Sequence, residues 1–159
     1  MTKTVFLLAI PILLINCSVQ DQKLTEAENI QIKTEVRASF DSLVESTKVQ
    51  DWESYFNHFD QNNFSGLNAD GTVWESFENF KASVIPGFQM IESSDSLVFP
   101  IVKISLIDKN TAVLINEYEQ KITLNGGQEI RVTGGGAQVW SRISGKWKLL
   151  SISASSKQD

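Results

Sequence analysis

Two rhythms of apolar positions divide the chain. Up to about residue 90 apolar side chains recur every three or four positions, and beyond about residue 98 they alternate. These are the periods of helix and strand. Ile32, Val36, Phe40, Leu43 and Thr47 fall on one face, with charges elsewhere, and predict one long amphipathic helix ending near Val49. Thr25-Glu26-Ala27-Glu28 in front of it fits a capping box, in which Thr25 accepts from the third helical amide and Glu28 reaches back. Asp51 caps a second, shorter helix whose Trp52, Tyr55, Phe56 and Phe59 share a face that serves as core or as pocket wall. Asp60-Gln61-Asn62-Asn63 satisfies stray backbone groups at its end. Residues 64–67 predict a short strand, 68–71 a tight turn, and Val73-Trp74 a second extended piece. Ser76 then caps a third helix through Phe77, Phe80 and Val84, which Pro86-Gly87 should stop or kink.

After a polar break at residues 92–96, four long strands are predicted at 98–106, 111–124, 130–143 and 147–155. Their connections, Asp108-Lys109-Asn110, Asn125-Gly126-Gly127 and Ser144-Gly145-Lys146, are short and polar, which implies a consecutive antiparallel meander. Helices first and sheet afterwards is an α+β pattern in one domain. Gly134-Gly135-Gly136 lies inside the central strand, where glycine costs stability unless a bulge, bend or close approach uses it. A β-bulge there would curl the sheet around the long helix. A phosphate-cradling loop needs a following helix, and a strand follows instead.

The first residues change the picture of where this domain works. Lys3 gives a basic start, and residues 5–15 are apolar, broken only by Pro11. That run is short of the roughly 20 residues that cross a bilayer as a helix, and has the length of a signal-peptide core. Leu14-Ile15-Asn16-Cys17 resembles a bacterial lipoprotein box, although Asn16 stands where Gly, Ala or Ser is usual. The expected division is a signal peptide at 1–16, a tether at 17–24 with lipid on Cys17, a domain at 25–155 and a tail at 156–159. Cleavage before Cys17 removes 16 of the 159 residues and leaves 143. More than one acyl chain gives stable attachment, so the protein is expected to be exported and anchored in a membrane, facing the periplasm or exterior. An ordinary signal peptide, leaving a soluble periplasmic or secreted protein, is the alternative.

Charge and composition remove some functions. Asp and Glu number 19 against 14 Lys and Arg, for a net −5 with no basic patch, which argues against nucleic acid as a partner. Cys17 is the one cysteine, so no internal disulfide is expected. His58 is the one histidine, which argues against His-rich zinc or iron sites, and neither metal nor cofactor is expected.

Short motifs carry a family resemblance. Asp51-Trp-Glu-Ser-Tyr-Phe, residues 60–64 and the Asp70-Gly71 turn resemble the front half of the NTF2-like superfamily, and more narrowly its SnoaL-like/DUF4440 group. The back half is similar in residues 104–113 and in Gln138-Val-Trp-Ser-Arg-Ile-Ser-Gly-Lys-Trp-Lys-Leu. The resemblance implies a cone: a long helix and two shorter ones resting on a strongly curved, mostly antiparallel sheet, with an apolar pocket at the mouth. Family members often dimerise through the outer sheet face. They include dehydratases, isomerases, cyclases, immunity proteins and binding modules, so fold does not decide function.

On such a cone the pocket candidates from the helices are Trp52, Tyr55, Phe59 and Trp74. From the sheet they are Asn116, Tyr118, Gln138 and Trp140, while Glu117 and Glu119 have the opposite phase. On the last strand, Trp147, Leu149, Ser151, Ser153 and Ser155 form one alternating set, of which Ser151 and Ser153 are pocket candidates. Related sequences often carry His where Ser151 and Ser153 stand, and a serine without a base takes no proton near neutral pH. His58, a natural proton shuttle near pH 7, and Tyr118 are the catalytic candidates, with a surface His as the plain alternative. The expected function is a non-catalytic module binding a small apolar ligand or a protein partner. A SnoaL-like isomerase, dehydratase or hydrolase is the alternative, and a homodimer subunit with a filled cone is a third.

Overall fold

The computed structural model describes residues 24–157. The expected signal peptide, the Cys17 site, nearly all of the tether and the end of the tail lie outside those residues. Helix α1 (Glu26–Lys48) starts on the capping box, with the Glu28 amide donating to Thr25 Oγ1 and the Thr25 amide to Glu28 Oε2. Its Ile32, Val36, Phe40 and Leu43 are buried. Helix α2 (Trp52–Asn57) is capped by Asp51 and helix α3 (Phe77–Gln89) by Ser76. Pro86 does not stop α3, which continues to Gln89. Pro86, Gly87 and the Ala82 whose carbonyl loses its donor are all exposed, so water replaces the missing bond at low cost.

The sheet is built from β1 (Ser65–Leu67), β2 (Val73–Trp74), β3 (Ile91–Leu106), β4 (Thr111–Leu124), β5 (Glu129–Ser141) and β6 (Lys148–Ser156). Its order is β2-β1-β6-β5-β4-β3. The last four form the expected antiparallel meander, and β1 joins β6 in parallel, making the sheet mixed. The polar residues 92–96 are not a break. They begin the edge strand β3, where Asp95 accepts from Ser93 Oγ and Thr123 Oγ1 at 2.6 and 2.8 Å. An edge strand with one wet face tolerates such residues. Strand β5 stops at Ser141 rather than 143, and the segment 142–147 is a loop closed by Gly145 at φ 93°.

The sheet bends where one strand carries an extra residue. In β3 the register against β4 slips between Ile91 and Ser93, between Ser94 and Ser96, and between Val98 and Ile101. The third slip contains Pro100, a residue without an amide to lose. In β6, Leu150 falls between Leu149, paired with Trp140, and Ser151, paired with Val139. The three glycines make no bulge, contrary to expectation. Gly134, Gly135 and Gly136 pair in unbroken step with Tyr118, Glu117 and Asn116 on one side and Ser156, Ser155 and Ala154 on the other. Their use is close approach. A Cβ on Gly134 would stand 2.0 Å from the Ser155 carbonyl and 2.6 Å from the Tyr118 hydroxyl oxygen.

The core lies between the concave face and the helices. Trp140, Leu149, Leu114 and Ala112 on the sheet meet the α1 stripe and an aromatic cluster from α2, α3 and the β1–β2 hairpin. Phe59 sits in that cluster with its ring 4.9 Å from Phe80 and 5.1 Å from Phe64. Such tilted and edge-on pairs fill the narrow end of the cone.

Two glycines separate these roles in a stability measurement. Gly134→Ala must push strand backbone aside and is expected to lower the unfolding free energy by about 2 kcal/mol or more. Gly87→Ala, in α3 with nothing within 4 Å of an added Cβ, should raise it by up to about 1 kcal/mol. Urea unfolding of both variants checks the pair.

Candidate functional site

The bend decides which side chains share the concave face. Along β4 the inward set is Ala112, Leu114, Asn116 and Tyr118; paired with them on β5 are Trp140, Gln138, Gly136 and Gly134. Beyond Leu150 the phase of β6 changes, so Ile152 and Ala154 pair with Gln138 and Gly136 on the inward side. Ser151 and Ser153, expected in the pocket, pair with Val139 and Ala137 and lie on the convex face instead. Unbroken alternation from Trp147 onward would have turned them inward; one unpaired residue inverts the set.

The remaining candidates separate by depth. Phe59, Trp74 and Trp140 are buried in packed core. Trp52 and Tyr55 lie at the partly open side of the helices, where Trp52 stacks on Phe88 at 4.0 Å and Tyr55 meets the same ring edge-on at 5.4 Å. Burial pushes the Tyr55 phenol well above its ordinary range, so its hydroxyl stays protonated and is a donor, not a base. Tyr118 lies over Gly134 and donates to the Ser155 carbonyl at 3.3 Å, and burial raises its phenol as well.

Among the described residues the buried polar side chains are Ser46, Asn116, Gln138 and Ser141, none of which ionises near neutral pH. Three of the four are served locally. Ser46 Oγ donates to the Leu43 carbonyl at 2.7 Å, Ser141 Oγ accepts from the Ile143 amide at 3.3 Å, and Gln138 Oε1 accepts from Trp140 Nε1 at 2.8 Å. Asn116 differs. It is 4% exposed, yet its Oδ1 has no hydrogen-bond partner among the described residues. An orphaned buried acceptor costs about 1–3 kcal/mol. It sits directly across from Gly136, where even a Cβ would come within 3.1 Å of Oδ1. Asn116, Tyr118 and the bare backbone of Gly134 and Gly136 thus form a floor on the concave side that carries one unanswered acceptor.

His58 is elsewhere. It ends α2, with Nδ1 donating to the Ser54 carbonyl at 2.8 Å and Nε2 3.0 Å from Ser42 Oγ. Its own carbonyl receives the Leu149 amide, whereas Tyr118 lies level with Ser156 through Gly134. Seven residues of β6 separate those levels, roughly 23 Å at the rise of a strand. The two catalytic candidates are not brought together. Glu117 and Glu119 are on the convex face, with Glu117 accepting from Lys157 at 3.3 Å. That face also exposes Ile101 and Ile115, interrupted by Lys103.

No family model and no curated protein sequence matches the chain. Solved structures do. An NTF2-like superfamily protein from Salmonella enterica serovar Typhimurium superposes with a TM-score of 0.71 at 17% identity, covering 82% of this chain and 94% of that one. The type 2 hexachlorocyclohexane dehydrochlorinase LinA gives 0.71 at 8% identity, covering 84% and 90%. The association domain of the Caenorhabditis elegans kinase CaMKII gives 0.65 at 16%, covering 82% and 99%. At these identities the likeness is one of fold: the chain has the NTF2-like cone. An enzyme and an assembly domain share it.

The orphaned oxygen has a measurable consequence. Asn116→Leu keeps the branching and removes the unanswered acceptor, so the ligand-free variant should be more stable by about 1–3 kcal/mol. Urea unfolding of the purified domain checks this; an unchanged or lowered midpoint would mean that Oδ1 is served in solution.

Proposed function

We propose that this chain is an NTF2-like module of the SnoaL-like kind that binds a small ligand with an apolar body and one hydrogen-bond donor, without catalysis. The observation that carries the reading is Asn116 Oδ1, an acceptor held buried and unanswered on the concave face. A binding site retains such a group because a ligand completes it, and stability given up at a functional position is the usual cost. The apolar share of recognition falls to partly buried sheet neighbours, Val102 paired with Asn116 and Ile152 paired with Gln138. Among the described residues the buried polar side chains of the concave face, Asn116 and Gln138, are amides, which suit recognition by hydrogen bonds. The proposal includes export and lipid attachment at Cys17, which rests on the apolar run at 5–15 and the cysteine that follows it.

Toluene and para-cresol test the ligand chemistry, since they differ by one hydroxyl. In an amide NMR titration para-cresol should move the Asn116 side-chain and Gly136 resonances. Its affinity should exceed that of toluene by roughly three- to tenfold, the worth of one matched hydrogen bond. The preference should vanish in Asn116→Leu. Equal affinities in the native protein would sink the reading, as would turnover of an apolar substrate. Export is tested separately by mass spectrometry of the membrane fraction: an acylated Cys17 at the new N-terminus is expected, and an unmodified soluble chain refutes the anchor.

A further inference from the structure

On the outside of the cone, α1 and α2 meet the loop between β5 and β6. A groove of about 620 Å³ opens there, of a size that holds small molecules. Its far wall is prebuilt. Glu35 of α1 accepts from Arg142 Nη1 at 2.6 Å and from Trp147 Nε1 at 3.1 Å, while Arg142 Nε donates to the Lys109 carbonyl at 2.9 Å. The Arg142 guanidinium covers the Trp147 ring at 5.1 Å. The Trp147 hydrogen bond first, with Gln31 and Arg142 adding, holds the Glu35 carboxyl below its ordinary range, so the wall stays charged and closed near neutral pH.

The charge of this groove opposes that of the chain. Arg142, Lys146 and Lys148 line it against Glu35 alone, an excess of two positive charges in a protein of net −5. Among the described residues Lys146 forms no ion pair, and Lys148 Nζ donates only to the neutral Asn57 carbonyl. A positive cleft on an acidic surface gathers anions.

The near wall is hydroxylated. Ser39 and Ser42 stand one turn apart on α1, and Ser54 and Asn57 one turn apart on α2. A carbonyl can only accept, so His58 Nδ1 carries a proton, and in the neutral imidazole Nε2 accepts from the Ser42 hydroxyl. Ser42 Oγ is thereby left with its lone pairs free to accept a further donor. Ser39 Oγ likewise donates its proton to the Glu35 carbonyl at 3.1 Å, so both hydroxyls present lone pairs to the groove. Cations at one wall and neutral acceptors at the other suit a hydrophilic ligand that carries one negative charge and several hydroxyls. A dianionic phosphate fits less well, because Glu35 remains ionised in the wall.

We infer that this groove is a binding site for a small hydroxylated carboxylate of the sugar-acid class, held by Lys146 and Lys148 through its carboxylate and by Ser39, Ser42 and Asn57 through its hydroxyls. The site is separate from the concave face and does not depend on how that face is used.

D-galacturonate, D-galactose and acetate are the probes, titrated into the isotope-labelled domain. Galacturonate should shift the Trp147 indole, His58 and Lys146 resonances at millimolar concentration. Galactose, lacking the charge, and acetate, lacking the hydroxyls, should each bind about tenfold more weakly. Lys146→Glu reverses a charge on an exposed, unpaired side chain and should weaken galacturonate at least as much with the thermal midpoint unchanged. Ser39→Ala should weaken galacturonate and leave acetate as it was. Galactose binding as tightly as galacturonate overturns the carboxylate, acetate binding as tightly overturns the hydroxyl contacts, and no groove shift with any probe overturns the site.

Discussion

A flat six-stranded sheet cannot hold a 23-residue helix and a cluster of phenylalanines against the same face. It has to bend, and this one bends by carrying residues that have no partner opposite them. Three slips in β3 and Leu150 in β6 supply the curvature. With the sheet bent, α1 lies along the concave face, the aromatic rings of α2 and α3 close the narrow end, and Trp140 and Leu149 become fully buried between them. The slips in β3 also interrupt its free edge, and the exposed Pro100 offers no amide there to another chain.

The same irregularities assign side chains to faces. Because side chains alternate, each unpaired residue reverses which of the following positions point inward. Leu150 turns Ser151 and Ser153 out and Ile152 and Ala154 in. On the inside stand Asn116, Gln138 and Tyr118, with bare glycine backbone opposite Asn116 and Tyr118. The carboxylates Glu117 and Glu119 lie on the convex face, and His58 with Arg142, Lys146 and Lys148 lines the groove.

The Glu35–Arg142–Trp147 clasp explains the chemistry of the loop between β5 and β6. Glu35 is more than a hundred positions from Arg142 and Trp147 in the chain, yet its one carboxylate holds both donors. The clasp fastens the middle of α1 to the hairpin, and Gly145 lets the loop turn tightly enough to present Trp147 to it. Part of the motif that carries the family resemblance, Arg142, Gly145 and Trp147, is thus accounted for by fastening.

Much of the fold was legible in the sequence because its causes are local. The capping box of α1, the Asp51 and Ser76 caps, the buried stripe of Ile32, Val36, Phe40 and Leu43, and the antiparallel meander follow from spacing and turn chemistry within a few residues. The site was less legible. Alternation puts Asn116 and Gln138 on one face, but nothing in the sequence marks Leu150 as unpaired, and unbroken alternation would turn the serines beyond it inward. Ser39 and Ser42 share a helical face with Glu35 by spacing, but no local signal says that this face meets a loop a hundred residues away. The glycines illustrate the division. Their number and place in β5 signalled that something unusual happens there, whereas only the packed strands show it to be the approach of Tyr118 and the Ser155 backbone rather than a bulge. The sequence by itself determined the elements, their order and their apolar faces, since these depend on neighbours along the chain. The tertiary structure decided where the sheet bends, which polar side chains face inward and which distant groups meet, since register and long-range contact depend on neighbours in space.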